Sequence, residues 1–130
     1  MVIVEGKIKG KARPRVVGKH AFTPGDTVNY ENWIRINYMQ QDNRKLVGPI
    51  RANITAYYSI PDSYTKKRVQ AIMEGKEYPC KKPDSDNIAK IILDSLNGMA
   101  YKDDSQIVEL NISKKYTEDV ERIEFKLEEI

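Results

Sequence analysis

The segment from Lys81 to Asp104 constrains this chain most, because it combines a capped helix with a high density of acidic and amide side chains. At about 100° per residue, its apolar residues cluster on one side of a helix that begins at Asp84 or Asp86 and ends near Gly98. The other side carries Asp86, Asn87, Lys90, Asp94 and Asn97. The segment therefore predicts a helix that packs through one face and presents a polar opposite face.

The polar face of this helix has two interpretations. In the first, Asp86, Lys90 and Asp94 form a solvated ladder of i,i+4 ion pairs. In the second, Asp84, Asp86 and an acid of the pair at 103–104 bind a hard divalent cation, because carboxylates held close together repel unless positive charge lies between them. Lys90 would then orient or activate a water, or stabilise charge during phosphoryl transfer. Spacing alone leaves both interpretations open.

Other kinds of site are excluded more firmly. An EF-hand calcium loop counted from Asp84 would need glycine where Ala89 stands and glutamate where Ser95 stands. His20 is the sole histidine, so it cannot build a zinc site or a triad, and it is interpreted as a surface or DNA-contact residue. Cys80 has no identifiable base partner and is interpreted as a passive thiol.

Composition sets the broad class of the protein. The 130 residues, 40% hydrophobic and 32% charged, predict one globular domain spanning 1–130. A single cysteine excludes an intramolecular disulfide. The N-terminus has no signal-peptide core, and no apolar run approaches the ~18 residues that a membrane span needs. We therefore expect a cytoplasmic protein with no membrane partner.

A basic segment lies near the N-terminus of a chain whose net charge is only +3. Every odd position from 7 to 15 is basic, so an extended backbone would place these charges on one face. They are Lys7, Lys9, Lys11, Arg13 and Arg15. A solvated edge strand is one interpretation. Because the acidic segment needs basic neighbours if it acts on phosphates, we favour contact with a nucleic-acid backbone, to which Lys81 and Lys82 would also contribute.

The rest of the chain predicts an α+β fold with a small mixed or antiparallel sheet packed with helices. A helix from Asp26 or Thr27 to Gln41 should bury Tyr30, Trp33, Ile34 and Tyr38. A strand is expected at 50–60 and a short helix at 64–74, whose basic residues 66–68 are either solvated or in contact with phosphate. Alternating residues at 106–112 and 123–127 predict a C-terminal β-hairpin.

The acidic segment resembles a known family. Lys82-Pro-Asp-Ser-Asp-Asn-Ile-Ala-Lys-Ile-Ile-Leu-Asp-Ser-Leu-Asn-Gly98, followed by Tyr101-Lys-Asp-Asp-Ser-Gln-Ile107, is similar to the signature of the RusA Holliday junction resolvases, which phages and prophages often carry. Lys11 to Arg15 and Phe22 to Pro24 resemble the N-terminal region of that family. The match covers residues 82–107 almost without a gap, which makes it far more specific than an isolated Asp-x-Asp motif.

The resemblance implies roles for individual residues. The metal-binding acids of the family fall on Asp84, Asp86 and Asp104, and its catalytic lysine falls on Lys90. A second set of residues, next to these metal ligands, would orient them. That set is Asn87, Asp94 and Asp103.

The resemblance also implies a function. It indicates an endodeoxyribonuclease that depends on Mg²⁺ or alternatively Mn²⁺. The enzyme would resolve four-way DNA junctions in recombination or repair by paired symmetric nicks. A metal-activated water would attack the phosphodiester. One acidic cluster per chain cuts one strand, so two cuts in a two-fold junction call for a homodimer. The alternatives are a protein that binds branched DNA without cutting it and a nuclease that prefers flaps or forks.

Overall fold

The computed structural model describes residues 1–11, 15–17, 20–22 and 25–130, together with the side chains of 1–11 and 27–130. Arg13 lies outside the described residues, and Arg15 and His20 are described only through their backbone. The predictions made for the side chains of these three residues therefore stay predictions.

Six strands and three helices make up the described structure. The strands are β1 (Val2–Glu5), β2 (Arg15–Val17), β3 (His20–Phe22), β4 (Ile50–Ser59), β5 (Ile107–Thr117) and β6 (Arg122–Glu129). The helices are α1 (Gly25–Gln41), α2 (Lys66–Met73) and α3 (Ser85–Ser95), and a 3₁₀ turn spans Asp104–Gln106. The helices predicted from the sequence are thus present, with α2 starting two residues later than expected behind its N-cap Thr65.

The main sheet is mixed, with strand order β1-β6-β4-β5. β4 pairs with β6 antiparallel and with β5 parallel, and β1 pairs antiparallel with β6. β2 and β3 form a separate antiparallel pair. This arrangement confirms the predicted α+β fold with a small mixed sheet.

The predicted C-terminal hairpin is wrong. β5 and β6 lie on opposite sides of β4, so the connection at 118–121 passes the end of β4 instead of joining two paired strands. There the carboxylate of Glu121 accepts hydrogen bonds from the backbone N–H groups of Ser59, at 3.1 Å, and Ile8, at 3.0 Å. Alternation identified both strands correctly, but it carries no information about which strand lies between them.

One face of the sheet is covered by helices. Alternate residues of β4 are buried from Ile50 to Tyr58, and they share a hydrophobic core with Ile34 of α1 and Ile88 of α3. The opposite face is polar and carries ion pairs such as Arg51 with Glu109 and Glu128, and a hydrogen bond between Asn53 and Asn111. α1 and α3 therefore lie on the same side of the sheet, with their outer faces directed away from it. Among the described helices, none is long and apolar enough to cross a membrane.

Trp33 does not belong to the core, contrary to the prediction. Its side chain is 42% exposed, and its indole N–H donates a hydrogen bond of 2.8 Å to the Glu5 carbonyl. Tyr30, Ile34 and Tyr38 are buried as predicted. Trp33 lies about 100° around the helix from Ile34, which places it on the margin between the buried and exposed faces of α1.

Candidate functional site

The N-terminal end of α3 presents Asp84. This residue has the extended backbone of an N-cap, yet its carboxylate makes no capping hydrogen bond. Its ion-pair partner is Lys82, whose ammonium lies 3.0 Å away, and both side chains are more than half exposed. The carboxylate is therefore not occupied by stabilising the helix, and an exposed lysine is an easily displaced partner.

Asp86 and Lys90 lie on the exposed outer face of α3, as the periodicity predicted. Within the described residues, neither side chain makes a hydrogen bond or an ion pair. The ladder of i,i+4 pairs from Asp86 through Lys90 to Asp94 is thus absent from the described part of the chain. This finding removes the ion-pair ladder of the first interpretation, and it leaves the side chains of Asp86 and Lys90 available to a ligand.

The C-terminal end of α3 brings two carboxyl groups together. The 3₁₀ turn after α3 places the Asp104 carboxyl within hydrogen-bond reach of Asp94 and of the Asn97 amide. Burial raises the pKa of Asp104, and the negative charges of Asp103 and Asp94 raise it further. Two carboxyl groups in contact need either a shared proton or a cation between them. The donor chemistry at this end of α3 therefore fits a hard divalent ion.

Asp103 has a structural role in the same turn. Hydrogen bonds from the Ser105 hydroxyl and, at 3.1 Å, from the Ser105 N–H hold the pKa of Asp103 below its usual value. The Gln106 side chain completes the capping box by accepting hydrogen bonds from the backbone N–H groups of Asp103 and Lys102. Because Asp103 caps the turn, Asp104 is the acid of this pair whose carboxyl lies beside Asp94.

The two ends of α3 are well separated. Asp94 follows Asp86 by eight positions, which corresponds to ~12 Å along the helix axis. Oxygen ligands of one Mg²⁺ lie only about 2.1 Å from the ion. In agreement, the described residues contain no group of three acidic, histidine or cysteine side chains that could hold one metal ion. One chain therefore holds Asp84 and Asp86 apart from Asp104.

A basic residue reaches the C-terminal acids from the N-terminal segment. The Lys11 ammonium lies 3.3 Å from Glu31 and 3.7 Å from Asp94, and its backbone N–H donates to the Asn87 carbonyl at 3.2 Å. Gly10 permits this approach, because a Cβ there would lie 2.7 Å from the Cβ of Pro83. Lys11 is thus half-buried against acids, whereas the prediction placed it on an exposed face with Lys7.

Comparison with known proteins defines the family. A family model described as endodeoxyribonuclease RusA matches residues 5–128, which is nearly the whole chain. This chain belongs to the RusA endodeoxyribonuclease family. It is also 30% identical over 131 residues to the uncharacterized protein YqaN of Bacillus subtilis (strain 168), covering 98% of this chain and 90% of that relative. Membership makes the chain a metal-dependent endodeoxyribonuclease and implies activity on Holliday junctions.

A second basic region adjoins the N-terminal end of α3 in this RusA-family enzyme. The Lys81 ammonium lies 5.2 Å from the Tyr58 ring centre and 5.9 Å from that of Tyr116. Lys114, which the sequence did not single out, donates a hydrogen bond to the Lys81 carbonyl and lies 5.6 Å from the Tyr58 ring centre. These contacts hold two cations at the segment that leads into α3.

Sequence reasoning also missed two residues of α1 beside the RusA-family site. Glu31 is buried, although it is charged, and it contacts both Lys11 and Arg35. The Arg35 guanidinium donates a hydrogen bond of 2.9 Å to the Ser95 carbonyl near the end of α3. The signal in the sequence was an acidic residue between Tyr30 and Ile34, which both belong to the apolar stripe of α1. A buried acid in such a position requires a cation as its partner.

Proposed function

We propose that this chain is a Mg²⁺-dependent resolvase that acts as a homodimer of one-domain chains and cuts four-way DNA junctions by paired symmetric nicks. The observation that carries the proposal is the outer face of α3. In the described structure it presents Asp86 and Lys90 without partners, between an uncapped Asp84 at one end and the Asp94–Asp104 contact at the other. Polar groups left free in this way are suited to a ligand rather than to stabilising the fold.

Asp84, Asp86 and Asp104 would hold the metal, with Mg²⁺ favoured over Mn²⁺ as the physiological ion. When bound, the ion supplies positive charge that favours ionisation of a water and balances charge on the phosphate. Asp94 would orient Asp104 through their contact, Asp103 would hold the turn by capping it, and Asn87 would tie the helix to the basic segment through its carbonyl. Lys90 would orient or activate the water, or stabilise charge at the phosphate.

A second copy would complete the site. Since ~12 Å of helix separates the N-terminal acids from the C-terminal ones, Asp84 and Asp86 of one copy and Asp104 of another would hold one metal ion. A two-fold axis that makes one such composite site necessarily makes a second. Two equivalent sites match the two strands that a symmetric resolution of a junction must cut.

The basic residues would hold the DNA backbone. Lys7, Lys9, Arg13 and Arg15 would contact phosphates from the N-terminal segment, and Lys81 and Lys82 from the segment before α3. Such contacts make binding weaken steeply with salt. Lys11 would act differently, because it already pairs with Glu31 and Asp94. The protein would act on DNA intermediates of recombination and repair in the cytoplasm, as an enzyme of prophage type.

A panel of DNA substrates tests this proposal. The full chain is incubated with mobile and immobile four-way junctions, a flap and a linear duplex, each with and without Mg²⁺. The expected result is Mg²⁺-dependent paired nicking of the junctions alone. Preferred cutting of the flap would replace the resolvase with a flap nuclease. Binding to junctions with no cutting under any metal would instead indicate a protein that recognises branched DNA without hydrolysing it.

A further inference from the structure

The loop between α1 and β4, residues 43–49, holds an apolar side chain in solvent. Of the large apolar side chains in the described part of the chain, that of Val47 is the most exposed, at 79%. The preceding residue, Leu46, is only 5% exposed and belongs to the hydrophobic core. A single exposed valine needs no functional explanation by itself. The surroundings of Val47 therefore decide whether it has a role.

Hydrogen bonds hold this loop on both sides of Val47. The Val47 N–H donates to the Glu129 carboxylate at 2.8 Å, and the N–H of the residue before it donates to the Ala100 carbonyl at 2.6 Å. The Pro49 carbonyl accepts a hydrogen bond of 3.0 Å from the Ile130 N–H. The loop is therefore fixed, although it belongs to no helix or strand. A fixed side chain loses little conformational entropy when a ligand contacts it.

The Gln106 side chain joins this loop to the turn that contains Asp104. Its amide group donates hydrogen bonds to the carbonyls of Gly48, at 3.0 Å, and Leu46, at 3.4 Å. Its oxygen accepts a hydrogen bond of 3.0 Å from the Lys102 N–H. The exposed valine is thus tied, through one side chain, to the turn that carries an acid of the proposed metal site.

A groove of about 480 Å³ lies between the loop and the turn, and both charged residues of its lining are exposed lysines. The lining consists of Lys45, Leu46, Val47, Gly48, Lys102 and Gln106. Two acids are close to it. The Glu129 carboxylate accepts a hydrogen bond from the backbone of the loop, and the Asp103 carboxylate accepts one from the backbone of the turn. The groove therefore combines an apolar side chain with two cations, which suits an anionic ligand that also has a flat apolar surface.

A strand of DNA has this chemistry, because it carries phosphates along its backbone and bases with apolar faces. Inside a duplex those faces are stacked, so an aliphatic side chain finds a base face only where stacking is interrupted, as at the branch point of a junction. We propose that Val47 packs against an open base face at the branch point, while Lys45 and Lys102 bind phosphates of the same strand. This inference rests on the proposed function, since it specifies which part of the junction lies beside Asp104.

Binding of the full chain to DNA without Mg²⁺ tests the role of Val47. The ligands are an immobile four-way junction and a linear duplex with the sequence of two of its arms. Val47→Ser should weaken junction binding about tenfold, the effect of losing the burial of one valine side chain. Duplex binding should change less than about twofold, because it depends on the backbone charge. Val120→Ser is the matched control, since Val120 is also exposed, at 48%, but lies at the opposite end of β4.

The salt dependence of binding tests the two lysines. Lys45→Met and Lys102→Met should each weaken binding to the junction and reduce the slope of log K against log salt concentration by about one. Lys76→Met, which removes an exposed lysine that follows α2, is the control and should leave the slope unchanged. An unchanged slope in either groove variant would overturn the phosphate contact of that lysine.

A fluorescent base at the branch point gives a direct readout of the contact. The emission of 2-aminopurine rises when the base unstacks, so wild-type binding should raise it at the branch point but not in the middle of an arm. Val47→Ser, at a concentration that saturates the junction, should give a smaller rise. An equal rise with this variant would contradict the contact with Val47.

Several results of the binding measurements would overturn the inference. They are equal junction affinities of Val47→Ser and the wild type, an equal loss of affinity for junction and duplex, an equal loss in Val120→Ser, or a wild type that binds both DNAs alike. None of these measurements involves cutting. A chain that binds junctions through Val47 but cleaves no DNA would therefore refute the proposed function and leave the inference intact. Normal resolution of junctions with no effect of Val47→Ser on binding would do the reverse.

Discussion

The N-terminal and C-terminal ends of α3 carry the same acidic side chains in different surroundings. At the N-terminal end, the Asp84 side chain is 52% exposed, and it pairs with a lysine that is 84% exposed. At the C-terminal end, Asp94 is 26% exposed and touches both Asp104 and Lys11. The first end is open to a ligand, whereas the second is preorganised by the fold. A metal site that used both ends would combine one fixed half with one accessible half.

The largest expected effect comes from removing an acid at either end. Asp84→Asn and Asp104→Asn should each reduce Mg²⁺-dependent cleavage by about 10³-fold, because a ligand of the ion supplies several kcal/mol of charge stabilisation. Binding to a four-way junction should be largely retained. Asp62→Asn, an exposed acid in the loop after β4, is the control and should cleave normally. Full cleavage by either site variant would remove that residue from the metal site.

A smaller loss of rate is expected in the middle of α3. Lys90→Ala should slow the chemical step by about 10²-fold, as expected for loss of a group that transfers a proton or stabilises charge. Single-turnover cleavage measures this step, and binding of Mg²⁺, followed by calorimetry, should be unchanged. Lys126→Ala, an exposed lysine of β6, serves as the control. An unchanged single-turnover rate in Lys90→Ala would show that the lysine has no part in the reaction.

Two lysine substitutions compare the two ends of α3 through their effects on the free energy of unfolding. Lys11→Met leaves the buried Glu31 without this partner, so we expect it to lower the free energy of unfolding by about 1–2 kcal/mol. Lys82→Met breaks an exposed pair with Asp84 and should change it by less than about 0.5 kcal/mol. Urea unfolding of both variants at one protein concentration provides the comparison. Equal effects would show that the C-terminal end is not preorganised.

The smallest expected effect is a change in stability that distinguishes Asp104 from Asp84. In metal-free protein, Asp104→Asn should raise stability by about 0.5 kcal/mol, because it removes a like charge held against Asp94. The raised pKa of Asp104 means that folding favours its protonated form. The wild type therefore loses stability as pH rises through that pKa, and the difference between the two proteins widens. Asp84→Asn should give no such gain, and a gain of equal size there would contradict the contrast between the ends.

Much of α3 was predictable from sequence, because its determinants are local. The apolar spacing of Ile88, Ile91 and Ile92 identified its buried face, and Gly98 adopts the positive φ of 76° expected after the helix. What the sequence did not reveal depends on distant parts of the chain. The pairing of β4 between β5 and β6 joins segments roughly 50 to 80 residues apart.

The site was predictable to a similar degree. The acids of α3 were identified individually, but the separation of its ends and the contact between Asp94 and Asp104 required the structure. Lys11 was assigned to DNA because alternation at 7 to 15 suggested a uniform basic face. The chain passes close to Pro83 at Gly10, and the Lys11 ammonium lies beside Glu31. A buried partner on α1, distant in sequence, overrode the local pattern.

Mixing two inactive variants tests the composite site most directly. In a heterodimer of Asp84→Asn and Asp104→Asn chains, one site carries both substitutions and the other carries neither. An equal mixture should therefore regain Mg²⁺-dependent nicking of a four-way junction with about one quarter of the wild-type number of sites, cutting one strand per heterodimer. If both variants still dimerise and exchange subunits but their mixture does not nick, the acids at the two ends of α3 do not serve one site across the dimer.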